Sequence, residues 1–187
     1  KGGMAPAIEA VHALIESGEE HGDICLLFSV AEEIGLKGAD ALDLEPLGLD
    51  FGYVLDTGPP VGSFVNRTAT HDKLDVRIVG KPAHSGKDPE NGINAITVAA
   101  DAIAGMKLGR IGPETTANFG LISGGTAVNV VCPEVVLRGE ARSTSEEELE
   151  SQIDHMVMRF EESARRFGAE AHIDHRRHYR SYHVPED

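Results

Sequence analysis

Two adjacent carboxylates, Glu32 and Glu33, stand where an almost unbroken apolar run over 24–30 gives out. A third, Asp56, closes a second apolar run over 51–55. Runs of this kind read as strands buried on both faces, as in a parallel sheet covered by helices. Open α/β sheets bind ligands just beyond the carboxyl ends of their strands. Carboxylates at two strand ends of one sheet would converge on one edge, a ready set of oxygen ligands for a divalent metal. One member of the adjacent pair can ligate while its neighbour takes a proton from metal-bound water, whose pKa the metal lowers toward ~7. A plainer reading exists for each residue alone. An acidic pair suits the positive end of a following helix, and Asp before Thr57-Gly58-Pro59 suits a turn.

The elements that must position these residues follow from periodicity. Ile8, Val11, Leu14 and Ile15 recur at helical spacing, and Gly18 supplies a stop. The strand over 24–30, a short helical or loop stretch over 36–47 and the strand over 51–55 then give the parallel α/β order. Thr57-Gly58-Pro59-Pro60 marks a boundary. Beyond it the pattern changes. Leu74, Val76 and Ile78 alternate with Asp75, Arg77 and Val79, a half-buried strand. Residues 94–106 are helical, with Ile96, Ala99, Ala100 and Ile103 on one side. Strands are expected over 116–122 and 130–141, with Gly124-Gly125 in their connection. Ser145 and Glu148 form a capping box before the apolar stripe Leu149, Ile153, Met156, Val157 and Phe160. A last strand covers 169–174. The order β-α-β-β-α-β is the ferredoxin-like unit. The expected fold class is therefore α/β. An α+β domain over 63–177 is inserted into a larger α/β domain that holds 1–62 and receives the chain again at 178–187.

Charge and composition exclude several functions. Seventeen basic against thirty-one acidic residues give a net charge of −14, unsuited to a nucleic-acid surface, which needs clustered Lys and Arg, and to an anionic membrane. No apolar stretch reaches the length of a spanning helix, and no signal peptide is visible. Cys25 and Cys132 each lie in an apolar run and form no CxxC. Both are read as reduced core residues of a cytoplasmic protein. His172, His175, His178 and His183 invite a metal reading, but residues three apart on a strand face opposite sides. The run Gly80 to Lys87 lacks the spacing of a phosphate-binding loop.

Five stretches together resemble the di-zinc exopeptidases of the aminoacylase and carboxypeptidase G superfamily, in particular the peptidase T-like branch. They are DICLLFSVAEEIGLKGA, FGYVLDTGPPVG, GKPAHSGKDPENGINAI, ISGGTAVNVVCPEV and LRGEARS. The resemblance spans nearly the whole chain. It implies a catalytic α/β domain with an inserted ferredoxin-like lid and dimerisation domain, two Zn²⁺, short peptide substrates, a cytoplasmic location and a homodimer formed through the lid. It implies roles as well. Glu32 matches the general base. Glu33 matches a ligand to one zinc and Asp56 a ligand to the other. His84 matches the lid histidine that stabilises the scissile oxyanion, in several members from a partner subunit. Asn129 and Arg142 match residues that hold the substrate carboxylate, for which the arginine fork is suited. Gly86 and Gly92 match glycines flanking the histidine loop.

The family's remaining metal ligands have no match. The bridging aspartate normally precedes a stretch like Lys1-Gly2-Gly3, and an early and a late histidine have no counterpart. The chain therefore reads as a middle fragment of a longer protein, expected to bind zinc weakly and to be inactive alone. Two alternatives share these residues: a deacylase of N-acyl amino acids from the same superfamily, and a non-enzymatic dimerisation or binding module.

Overall fold

The computed structural model describes residues 2–56, 58 and 60–185. The chain forms two compact units, Lys1–Val65 and Asn66–Asp187.

In the first unit, helix α1 covers Met4–Ser17 and ends as expected at Gly18, whose φ of 68° is the left-handed value glycine tolerates and whose N–H caps Ile15. A short helix α2 covers Lys37–Asp40, and a single 3-10 turn covers Glu45–Leu47. The two strands expected over 24–30 and 51–55 do not form: both segments run without a ladder partner among the described residues. An extended chain becomes a strand only when its N–H and C=O groups bond a neighbour. Their side chains are correspondingly exposed, Phe28 and Val54 among them. Cys25 is exposed for the same reason, against the expectation of a core residue, whereas Cys132 is buried as expected.

The second unit is a five-stranded antiparallel sheet under two helices. Its elements are β1 (Thr70–Val79), α3 (Ala95–Ala104), β2 (Gly109–Arg110), β3 (Thr116–Gly124), β4 (Glu134–Ser143), α4 (Glu146–Phe167) and β5 (Glu170–Tyr179). The order across the sheet is β2-β3-β4-β1-β5, the ferredoxin-like arrangement with one short extra edge strand. Alternation decides the faces. Leu74, Val76 and Ile78 of β1 and Val135, Leu137 and Ala141 of β4 point to the helices and are buried. Against them pack Leu149, Ile153, Met156 and Phe160 of α4, the expected stripe. The α3 stripe is offset from expectation. Ala95, Val98, Ala99 and Ala102 face the sheet while Ile96 is 48% exposed. Small residues on that face let the helix sit close to the strands.

Ser145 caps α4 by accepting the Glu148 N–H at 3.3 Å. The reciprocal half of the capping box is absent, because the Glu148 carboxylate turns to the Thr115 hydroxyl. Strand β5 runs five residues beyond its expected end, following β1 through an irregularity at His71/Asp72. The chain entering this unit and the chain leaving it pair side by side: Thr68 N–H donates to Tyr182 O at 3.0 Å and Val184 N–H to Asn66 O at 2.7 Å.

Candidate active site

The segment bearing Glu32 and Glu33 is a tight reversal. Ala31 has a φ of 62° and Leu36 a φ of 60°, values non-glycine residues adopt at a cost and which here turn the chain back on itself. The carbonyl of Glu32 accepts the N–H groups of Gly35 and Leu36 at 3.0 and 2.9 Å. Gly38 closes the reversal against Val30, where a β-carbon would collide with the Val30 backbone. The turn leaves both carboxylates exposed. Asp56 is exposed as well, beside Leu55, whose carbonyl oxygen lies so near Gly3 that a β-carbon there would come within 2.7 Å.

In the second unit His84 sits on the loop between β1 and α3, at the end of the sheet where Val79 pairs with Glu134. This loop is bound to the segment that follows β3. His84 bridges to Val130, Val131 N–H donates to Ala83 O at 2.9 Å, and Ser85 N–H donates to Asn129 O at 3.0 Å. Asp88 steadies it from inside, accepting the His84 N–H at 3.2 Å. Gly92 is needed for this fit, since a β-carbon would come within 2.9 Å of both Ala83 and Val131. At Gly86 the N–H lies 3.1 Å from His84 Nδ1. A nitrogen that accepts carries no proton, so the neutral ring bears its hydrogen on Nε2, free to donate outward.

Arg142 lies elsewhere. On β4 it pairs with His71 at the opposite end of the sheet from Glu134, roughly 27 Å away at the usual rise of a strand. Thus the structure joins His84 to Asn129, and Asn129 and Arg142 of one copy do not meet. Arg142 instead belongs to a cluster that sequence reading missed. Its Nε and Nη2 donate to the two oxygens of Glu140, each at 3.1 Å, and its Nη1 donates to the Tyr179 hydroxyl at 3.2 Å. His71 Nε2 lies 2.9 Å from Glu140. The hydrogen bond to Glu140 holds Arg142 still more firmly protonated than usual. Burial pushes the Glu140 carboxyl up, but the Arg142 hydrogen bond and charge outweigh it and hold the carboxyl below its ordinary value. Burial, then the charge of Arg142, lowers His71. The signal available in the sequence was the alternation Arg138-Glu140-Arg142; nothing pointed to His71 or Tyr179.

The tail histidines do not gather. His175 bonds Asp72 on the helix side, while His172 stands opposite Arg77 on the other face. Among the described residues no group of three or more His, Cys, Asp or Glu side chains is placed to hold a metal ion. Glu33 and Asp56 are two oxygen donors, and a zinc site takes at least three protein ligands. The described residues do not by themselves make a zinc site.

Residues 69–167, which hold most of the ferredoxin-like sheet and its histidine loop, match the family described as the peptidase dimerisation domain. The chain belongs to the M20 peptidases, in their peptidase T-like branch. It is 45% identical over 174 residues to the Bacillus subtilis protein YqjE, covering 93% of this chain and 47% of that one. Among solved structures, the aminopeptidase PepT of Bacillus cereus matches with 42% identity and a TM-score of 0.85 over 98% of this chain and 49% of that one. A tripeptidase of Staphylococcus aureus matches with 38% identity and a TM-score of 0.91, again over 98% and 49%. The chain spans about half the length of the relatives it matches.

Proposed function

We propose that the full-length protein is a cytoplasmic, zinc-dependent exopeptidase of the aminopeptidase or tripeptidase kind, acting on short peptides as a homodimer. The observation that carries this reading is the match, over 98% of the chain, to structures of an aminopeptidase and a tripeptidase. Glu32 is the general base: it takes the proton of the attacking water and hands it to the leaving amine. Glu33 and Asp56 are offered as two of the metal's oxygen ligands. His84 donates from Nε2 to the scissile oxygen as negative charge grows there, a role supported by the Gly86 N–H bond to Nδ1. Arg142 holds the peptide's carboxylate. Because Arg142 lies a sheet's length from Asn129, we assign His84 and Asn129 to one copy and Arg142 to the other at each site.

The test is tripeptide hydrolysis by the full-length protein with added Zn²⁺. Replacing Glu32 by Gln is expected to lower kcat at least about a hundredfold, the usual scale of a lost general base. A full-length protein that turns over N-acetyl amino acids but no tripeptide overturns the peptidase reading in favour of a deacylase. One that cleaves neither favours a binding module.

A further inference from the structure

The outer face of the sheet, away from α3 and α4, carries one side chain held on three sides. Arg142 gives its Nε–H and one Nη2–H to Glu140 and one Nη1–H to Tyr179. Its guanidinium has five hydrogens. Two remain, one on Nη1 and one on Nη2. Glu140 is itself backed by His71, which is only 3% exposed and has no partner for its Nε2 except the Glu140 oxygen 2.9 Å away, which is not well aligned for a hydrogen bond. The other ring nitrogen of His71 faces Nδ1 of His178 at 3.2 Å. A carboxylate only accepts, so the neutral His71 ring must carry its hydrogen on Nε2, and its Nδ1 must accept from His178. Every member of the cluster then has one role: His178 orients His71, His71 backs Glu140, and Glu140 grips Arg142.

We infer that Glu140, with Tyr179 and His71, positions Arg142 so that its two remaining N–H groups face the carboxylate of a bound peptide. The inference rests on the reading of Arg142 as the carboxylate anchor. A long arginine free on a sheet face would lose rotamer freedom on binding; one already fixed by Glu140 does not. Glu140 and the ligand use different hydrogens of the guanidinium, so they do not compete.

The test uses full-length protein carrying Glu32→Gln, so that peptide is bound and not cleaved. Calorimetry compares a tripeptide with the same tripeptide amidated at its C-terminus. A merely structural role would weaken both ligands alike. The positioning role weakens only the acid. Glu140→Gln is expected to cut the preference for the acid about tenfold, the scale of a lost charge-assisted pair. Tyr179→Phe, which removes one hydroxyl, is expected to cut it less, and Arg142→Gln to abolish it. If Glu140→Gln keeps the full preference, or binds the acid more tightly, while Arg142→Gln loses it, the positioning role is overturned and the anchor stands. If Arg142→Gln keeps the preference, or no peptide binds, the anchor falls and the positioning role with it.

Discussion

Asp72 is 1% exposed and charged, and two side chains on β5 make that tolerable: Arg177 donates from Nε at 2.9 Å, and His175 Nε2 lies 2.8 Å away. Arg177 reaches on to Glu146 at the start of α4, so one buried carboxylate ties strand to strand to helix. Removing one partner of such a buried set strands the others. Asp72→Ala is expected to cost about 3 kcal/mol in urea unfolding, the lower end for a broken buried pair. Burial pushes the Asp72 carboxyl up, yet the hydrogen bonds from Arg177 and His175 outweigh it and hold it below its usual range. The folded state therefore holds this proton less tightly than the unfolded chain does. The stability it gives is complete above about pH 4 and is lost as pH falls through the folded value. Urea midpoints taken from about pH 6 down to about pH 3 are expected to fall less steeply for Asp72→Ala than for the unaltered protein. At this scale the legible part was motif-borne. His84, Asn129 and Arg142 were visible as residue types in order, and Glu140 stands two residues from Arg142 on the same strand, but His71 and Tyr179 lie 71 and 37 residues away in the chain, and only strand pairing brings them to it.

Elements were most legible where a period ran unbroken. The α4 stripe and the β1 alternation needed no correction, because a face that must be dry shows in the sequence wherever it recurs. Ser145 illustrates what survives of a local signal. Its hydroxyl still accepts the Glu148 N–H, although tertiary packing takes the Glu148 carboxylate away to Thr115. Ser145→Ala is therefore expected to cost about 1 kcal/mol, the value of a helix cap and no more, measured by chemical denaturation. A loss several times larger would mean that the hydroxyl supports more than the cap. The α3 stripe was misread because its inward residues are small: Ala95, Ala99 and Ala102 read weakly beside Ile96, which faces outward. Strand β5 was cut short because its second half is polar, and its pairing with β1 depends on partners rather than on apolar content.

For the whole molecule, the open edge is β3. Strand β2 covers only Thr116 and Ala117, and beyond that Leu121 and Ile122 are 62% and 58% exposed. The β5 edge carries His172, Asp174 and Arg176, charged or polar residues of the sort that discourage pairing. If the homodimer forms along β3, Leu121→Lys with Ile122→Glu is expected to shift the full-length protein to a monomer in light scattering. It is also expected to remove peptidase activity, because His84 and Arg142 would no longer serve one site. A dimer that persists with full activity would move the interface elsewhere. By itself, the sequence determined the ferredoxin-like order, the apolar faces of β1 and α4 and the histidine loop, since each depends on local period, caps and short motifs. Tertiary structure alone decided that the apolar segments over 24–30 and 51–55 stay out of any ladder among the described residues, and how far Asn129 stands from Arg142. It also decided that Tyr179 and His71 close on the Arg142–Glu140 pair. Those outcomes depend on hydrogen-bonded neighbours distant in the chain, which no local pattern encodes.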